Sequence, residues 1–218
     1  MATYVMSDIH GEKDRFQRML KTIGFSKKDT LYIIGDVIDR GPDGVEILLD
    51  IMKRDNIRLL LGNHEYMCRR CYAPDATVVD RTLWSQNGNS ATVEALGRLD
   101  SKYFNRVLSY LQELPSHQCV LVGRRNFYLV HGYPGKDVHE EVWKRPAPDE
   151  PNPLPEYRVI IGHTPVNHLF HERNNQDIDH LSIYHGKGYI CVDCGCGHSF
   201  RNRALACLRL DDMAEFYT

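Results

Sequence analysis

A chain of 218 residues, 42% hydrophobic and 26% charged, has the apolar mass for one sizeable core, and it reads as a single domain over 1–218. A formal net charge of −2 without a Lys/Arg-dense stripe gives no electrostatic footprint for nucleic acid, and no window approaches the roughly 18 consecutive apolar residues of a membrane span. The start "MATYVMSDIHGEKD" turns polar too early for a signal peptide, so the expected compartment is the cytoplasm, where the seven cysteines are expected as thiols or metal ligands rather than disulfides.

The first third of the chain repeats one pattern. A short apolar run is followed by a Gly-containing polar turn and then a segment of helical period. Tyr4-Val5-Met6 leads into "SDIHGEKDRFQRMLKTIGF", Leu31 to Ile34 into "GDVIDRGPDGVEILLDIMKR", and Ile57 to Leu61 into "GNHEYMCRRC". The runs predict buried parallel strands in right-handed βαβ units, with ligands at the carboxyl ends of the strands. From Asp75 to Pro115 the pattern becomes helical, broken at "NGNS", and is read as an insertion over the sheet. Strand signals return in "QCVLVG", "NFYLVH", "YRVIIGH", "YICVDC" and "ALACLRL", with hairpin turns at "GRRN", "HGKG" and "LDDMAEF". Five prolines between Arg145 and Glu156 mark a surface loop.

Polar residues gather at the expected strand ends. Asp8 and His10 follow the first strand, Asp36 the second, Asn63 and His64 the third, and His131 and His163 close two later runs. Taken singly, each has an ordinary explanation: an Asx-turn or helix cap for the aspartates, a hydrogen-bonded histidine for the imidazoles. Together they form a donor set of oxygen and imidazole without thiolate. Such a set suits two divalent ions such as Mn, Fe or Zn, which orient a phosphate and turn a bridging water into a hydroxide nucleophile.

The stretches "SDIHG", "GDVIDRG", "GNHE", "VHGYP" and "IGHTPV", spread over residues 8 to 165, resemble the signature of the calcineurin-like metallophosphoesterases. Within that family they are similar to the phosphoprotein phosphatases and their phage-type bacterial branch. The resemblance implies an α/β fold, a four-layer α/β/β/α sandwich of two mixed sheets flanked by helices, with the helical insertion over 75–115. It implies that Asp8 and His10 hold one metal, that Asp36 bridges, and that Asn63, His131 and His163 hold the second. His64 is then the general acid, Asp39 orients its ring, and Arg40 clamps the phosphate with Asn63 and, after the tryptophan of "EVWKRPAP", Arg145. The implied cofactors are two divalent ions, Mn foremost, with Fe or Zn as alternatives.

The implied activity is phosphomonoester hydrolysis by attack of a metal-bridging hydroxide, on phosphoserine and phosphothreonine in proteins or on small phosphoesters. Two rivals stand beside it. One is a symmetrical dinucleoside tetraphosphate hydrolase or nucleotide phosphodiesterase of the same superfamily; the other is a non-catalytic phosphate-binding scaffold. No motif specifies a membrane partner or an oligomeric state. "CVDCGCGH", with Cys68 and Cys71, admits a zinc reading, but strand alternation is expected to send Cys191 and Cys194 to different faces, which favours buried thiols. His168, His171, His180 and His185 read as solvated, with one of them able to reach the site rim. Phe104, Leu108 and Leu111 read as a core stripe.

Overall fold

A computed structural model describes residues 1–170, 180–199 and 201–218. Strands β1 (Thr3–Met6), β2 (Thr30–Ile33) and β3 (Ile57–Leu59) are parallel, connected by helices α1 (Lys13–Thr22) and α2 (Gly44–Ile51). Helix α3 (Asn63–Cys71) leaves β3, and the stretch read as an insertion follows as α4 (Val78–Gln86), α5 (Ser90–Gly97) and α6 (Ser101–Glu113). A hairpin of β4 (His117–Val122) and β5 (Arg125–Val130), then α7 (Val138–Trp143) and β6 (Arg158–Ile161), begins the second sheet. The short β7 (Tyr184–His185) and β8 (Ile190–Cys191) complete it in the order β4-β5-β6-β8-β7. The last hairpin, β9 (Ala206–Arg209) and β10 (Glu215–Tyr217), returns to the first sheet, whose order is β10-β9-β1-β2-β3.

Both faces of the first sheet are buried, which is why its strands read as unbroken apolar runs rather than alternating ones. Tyr4 and Met6 of β1, with their partners Leu31 and Ile33 of β2, pack under Phe16 and Met19 of α1 and Ile47 and Leu48 of α2. The intervening pair Val5 and Tyr32 points the other way, into a second core shared with Phe127, Leu129, Val159 and Ile161 of the second sheet. Two mixed sheets packed face to face, with helices flanking them, form the expected sandwich. Among the described residues no helix is long and apolar enough to cross a membrane.

Two local expectations need correcting. The chain leaves the ladder after Cys191, so alternation does not extend to Cys194, and both thiols join the core between the sheets. Cys196 lies in the helix-side core, so buried thiols are correct for a reason other than alternation. On α6 the buried line runs through Val107 and Leu111 with Phe104 half-buried beside it, while Leu108 faces partly outward. His180 and His185 are exposed, stacked on Tyr217 and paired with Glu215 respectively, and His171 lies outside the described residues.

Candidate active site

The connections that leave β1, β2, β3, β5 and β6 converge at one edge of the sandwich, and the backbone there is strained. Seven non-glycine residues among those described have positive φ. Six are Asp8 (53°), His10 (46°), Asp36 (57°), Asp39 (69°), Arg40 (65°) and His163 (62°); Met213 is the seventh. Side chains with a Cβ disfavour this region, and such strain collects where a fold forces functional groups into place. Cross-loop bonds hold it: Asp8 N–H donates to Gly35 O (3.2 Å) and His10 N–H to Asp36 O (2.9 Å). At Gly62 any side chain would overlap the Asp36 carboxylate, so the two loops meet backbone to backbone.

Asp36 sits at the centre, buried, with three imidazoles around it. His131 Nε2 is 3.3 Å from Oδ1, and His10 Nε2 (3.5 Å) and His64 Nε2 (3.8 Å) face Oδ2. Backbone carbonyls orient two of the rings: His10 Nδ1 donates to Ile38 O (3.0 Å) and His131 Nδ1 to Ile34 O (2.8 Å), so in each ring Nε2 is the nitrogen turned to Asp36. His163 is set the opposite way, Nε2 donating to Trp143 O (3.2 Å), which leaves Nδ1 for the cluster. Asn63 Oδ1 lies 3.0 Å from His131 Nε2, and Asp8 Oδ2 accepts the His163 N–H (3.0 Å) while its Oδ1 faces His10 (3.9 Å).

These donors form two overlapping groups, His10, Asp36 and His64, and Asp36, His131 and His163, with the ligand atoms of each group within 4.8 Å of one another. Asp36 is common to both. His10 Nε2 is buried without a hydrogen-bond partner, an orphan that a cation would satisfy. The donor set thus fits two divalent ions sharing one carboxylate, and neither group contains a cysteine. Burial alone would raise the Asp36 carboxyl, but His131 and His64 hold it well below the usual range. Burial would likewise lower His131, which Asp36 and Asp8 hold up at about 10. Burial, then the neighbouring His64, pushes His10 well down, and burial raises Asp8.

Beside this cluster, His64 Nδ1 donates to Asp39 Oδ2 at 2.7 Å, and its Nε2 faces Arg40 Nη2 at 3.3 Å. Arg40 is exposed, with its guanidinium at the rim, and Arg145, also exposed just after α7, is close enough for its charge to depress His163 and His198. The structure therefore brings together Asp8, His10, Asp36, Asn63, His131 and His163, with His64, Asp39 and Arg40 alongside and Arg145 at the edge.

Several participants carried no clear signal in the sequence. Glu65 is fully buried, and its carboxylate accepts N–H bonds from Asp36 (2.8 Å), Val37 (2.8 Å), Ile38 (3.3 Å) and Gly62 (3.1 Å), tying the Asp36 loop to the start of α3. Glu65 closes the "GNHE" stretch, three residues after Gly62, whose N–H it accepts, but that spacing alone does not reveal its bonds to the Asp36 loop. The insertion grips the Asp39–Arg40 pair from outside. Trp84 Nε1 donates to Asp39 Oδ2 (2.7 Å), Asp39 N–H to Thr92 Oγ1 (2.9 Å), and Arg40 N–H to Gly88 O (2.9 Å). The "CGCGH" stretch closes the other side: Gly197 lies so close to the His10 ring that a Cβ would overlap it, and His198 Nε2 is 3.1 Å from Arg40 Nη1.

A fold of two mixed sheets with this histidine–aspartate cluster at their edge defines a phosphoesterase architecture. The chain belongs to the calcineurin-like phosphoesterases, whose family model matches residues 1–212. Among curated relatives, the symmetrical bis(5'-nucleosyl)-tetraphosphatase of Acidovorax sp. is 49% identical over 67 residues, which is 30% of this chain and 24% of the relative. That of Wigglesworthia glossinidia brevipalpis is 44% identical over 75 residues, 34% of this chain and 28% of the relative. The matched stretch thus spans about a quarter of the length of these relatives. Solved structures of similar fold include a putative diadenosine tetraphosphatase (TM-score 0.64, 16% identity, 99% of this chain and 92% of that chain). A protein serine/threonine phosphatase of Saccharomyces cerevisiae is also similar (TM-score 0.65, 15% identity, 96% of this chain and 72% of that chain).

Proposed function

We propose that the chain is a dinuclear metal-dependent phosphatase that hydrolyses phosphomonoesters, with phosphoserine and phosphothreonine of proteins as its substrates. The observation that carries this reading is the buried Asp36 carboxylate shared by two donor groups, with the His64–Asp39 pair and the Arg40 guanidinium at its open side. Asp8, His10 and Asp36 would hold one ion, and Asp36, Asn63, His131 and His163 the other; Mn is the first choice and Fe or Zn the alternatives. When bound, such a pair supplies an activated water and positive charge toward the phosphoryl oxygens.

The remaining work belongs to side chains of the chain itself. Arg40 offers two parallel N–H donors to the phosphate, with Asn63 and Arg145 as further contacts. His64 gives its Nε2 proton to the departing alkoxide, and Asp39 keeps the ring turned for that transfer. The buried cluster ends in an exposed guanidinium at the surface, which suits a phosphate carried on a side chain of a large partner.

A second reading, symmetrical hydrolysis of dinucleoside tetraphosphates, is favoured by the identity to the bis(5'-nucleosyl)-tetraphosphatases. A panel on protein reconstituted with Mn, Fe or Zn separates the two: a phosphoserine peptide, 4-nitrophenyl phosphate and diadenosine tetraphosphate. Turnover of the peptide and of nitrophenyl phosphate supports the first reading, and preference for the tetraphosphate the second. Failure on all three with every metal returns the chain to a non-catalytic phosphate-binding scaffold.

A further inference from the structure

The "CVDCGCGH" stretch ends on a histidine that lies against the candidate site. His198 is half-buried, and its Nε2 is 3.1 Å from Nη1 of Arg40. We infer that His198 is a positioning residue: it accepts a hydrogen bond from the Arg40 guanidinium and so holds that group in place to grip the substrate phosphate. That role rests on the phosphoesterase reading of the site, in which Arg40 binds the phosphoryl oxygens.

The direction of the bond follows from the chemistry of its partners. A guanidinium carries N–H donors and no acceptor, so the imidazole nitrogen it meets is the one with the lone pair. Burial, and then the charges of Arg40 and Arg145, push His198 down to about 4, so the ring is neutral at ordinary pH and keeps that lone pair. An Asp or Glu in this place would also hold Arg40, but its negative charge would repel the incoming phosphate. A neutral imidazole anchors the arginine and leaves its positive charge available.

The two ends of Arg40 are held from different parts of the chain. Its backbone N–H donates to Gly88 O (2.9 Å), and its stem runs along Gly88, where an added Cβ would lie 3.4 Å from Arg40 Cγ. The side chain is nonetheless exposed, and an arginine in water samples many rotamers. The turn that presents His198 is tied down. Gly195 N–H donates to Asp193 Oδ1 (2.9 Å), His198 N–H to Gly195 O (2.9 Å), and Arg203 Nη1 to Cys196 O (2.7 Å). Cys196 Sγ reaches Ile9 O (3.7 Å), on the loop that leaves β1. A fixed acceptor at the tip thus removes in advance freedom that Arg40 would otherwise lose on binding phosphate, and such pre-organisation strengthens binding. With Nη1 on His198, Nη2 stays toward His64 at 3.3 Å, beside the candidate metal centre.

Variants of the full-length, metal-reconstituted protein test this with 4-nitrophenyl phosphate as substrate and inorganic phosphate as inhibitor. His198→Leu keeps bulk and removes the acceptor, whereas His198→Gln puts an amide oxygen near the place of Nε2. His198→Leu is expected to raise KM and the phosphate Ki about fivefold, with kcat changed by less than about twofold, because the lost grip serves ground and transition state alike. His198→Gln should recover most of that loss. In an Arg40→Gln background, His198→Leu should have no further effect, since two residues acting through one contact are not additive. Thermal midpoint and bound metal are measured for each variant; if His198→Leu folds poorly or loses metal, His198→Asn, polar but too short to reach Arg40, replaces it in the same comparison. Unchanged KM and Ki on removal of the acceptor, a loss that His198→Gln does not restore, or the same loss in the Arg40→Gln background overturns the assignment. If the unmodified protein turns over no nitrophenyl phosphate with any metal, the phosphatase reading fails instead, and calorimetric titration of inorganic phosphate decides the role of His198 by the same set of variants.

Discussion

Replacing Trp84 by Phe tests whether the insertion takes part in the chemistry or merely covers it. The indole is 3% exposed, and its N–H and the His64 Nδ1–H both end on the same oxygen, Asp39 Oδ2, each at 2.7 Å. Asp39 Oδ1 is buried with no hydrogen-bond partner, so these two donors set the orientation of the carboxylate. Phe keeps a ring in the space against Tyr72 (centroids 6.0 Å apart) and deletes only the donor. A hydrogen bond to a buried charged group is worth about 1.5–3 kcal/mol, a factor of roughly 10–100 if it is expressed fully in the transition state. The carboxylate that remains is freer to rotate and holds the His64 proton less usefully. The loss should therefore appear in kcat for esters whose alkoxide needs protonation, such as a phosphoserine peptide. Turnover of 4-nitrophenyl phosphate, whose phenolate departs unaided, should fall only slightly. The assay is kcat for the two esters, with metal content and thermal midpoint as controls. An equal loss on both, or no loss on either, would refute the assignment of Trp84 as a positioning residue.

The two aspartates of "GDVIDRG" should fail differently: Asp36→Asn should lose bound metal by elemental analysis, whereas Asp39→Asn should keep its metal and lose turnover. Gly197→Ala places a methyl group on the His10 ring, and overpacking of about 1–3 kcal/mol should lower both the thermal midpoint and the metal affinity; a variant with unchanged affinity would contradict the close approach. Of seven cysteines only Cys119 is exposed, so a thiol reagent should modify one group quickly in the native protein and six more after denaturation. Treatment with a chelator without release of further thiols fits the same picture; thiols freed by chelation would restore the zinc reading of "CVDCGCGH". Glu65→Gln loses the charged acceptor of four backbone donors and should cost about 2–3 kcal/mol, read as a fall in midpoint of roughly 5–10 °C.

The sheets and the metal-donor set were legible because their signals are local. An apolar run buried on both faces looks the same wherever it occurs, and each candidate ligand directly follows such a run. The clamps on Asp39, beside that set, were not legible. Trp84 and Thr92 reach Asp39 from 45 and 53 residues away, and nothing in the period of α4 or α5 distinguishes a tryptophan that fills core from one that donates a hydrogen bond. The misplacement of Leu108 has a similar origin: residues 104, 107, 108 and 111 share one helical face, and only packing decides which of them lies at its centre. The cysteine argument failed because it assumed a long strand, whereas the ladder of β8 ends after two residues.

The strained backbone explains why those distant clamps exist. Asp8, His10, Asp36, Asp39, Arg40 and His163 occupy positive φ, at a cost of order 1–3 kcal/mol each, and loops of such short range cannot hold that conformation alone. Glu65 offsets part of the cost at Asp36 by accepting the N–H groups that the turn leaves pointing inward. Thr92 and Gly88 accept the N–H groups of Asp39 and Arg40, the two consecutive residues in the left-handed region. Each strained residue of the "GDVIDRG" loop is thus matched by an acceptor from α3 or the insertion. The insertion that covers the sheet is in this respect part of the site, since it supplies the three hydrogen-bond partners, Trp84, Gly88 and Thr92, that hold Asp39 and Arg40.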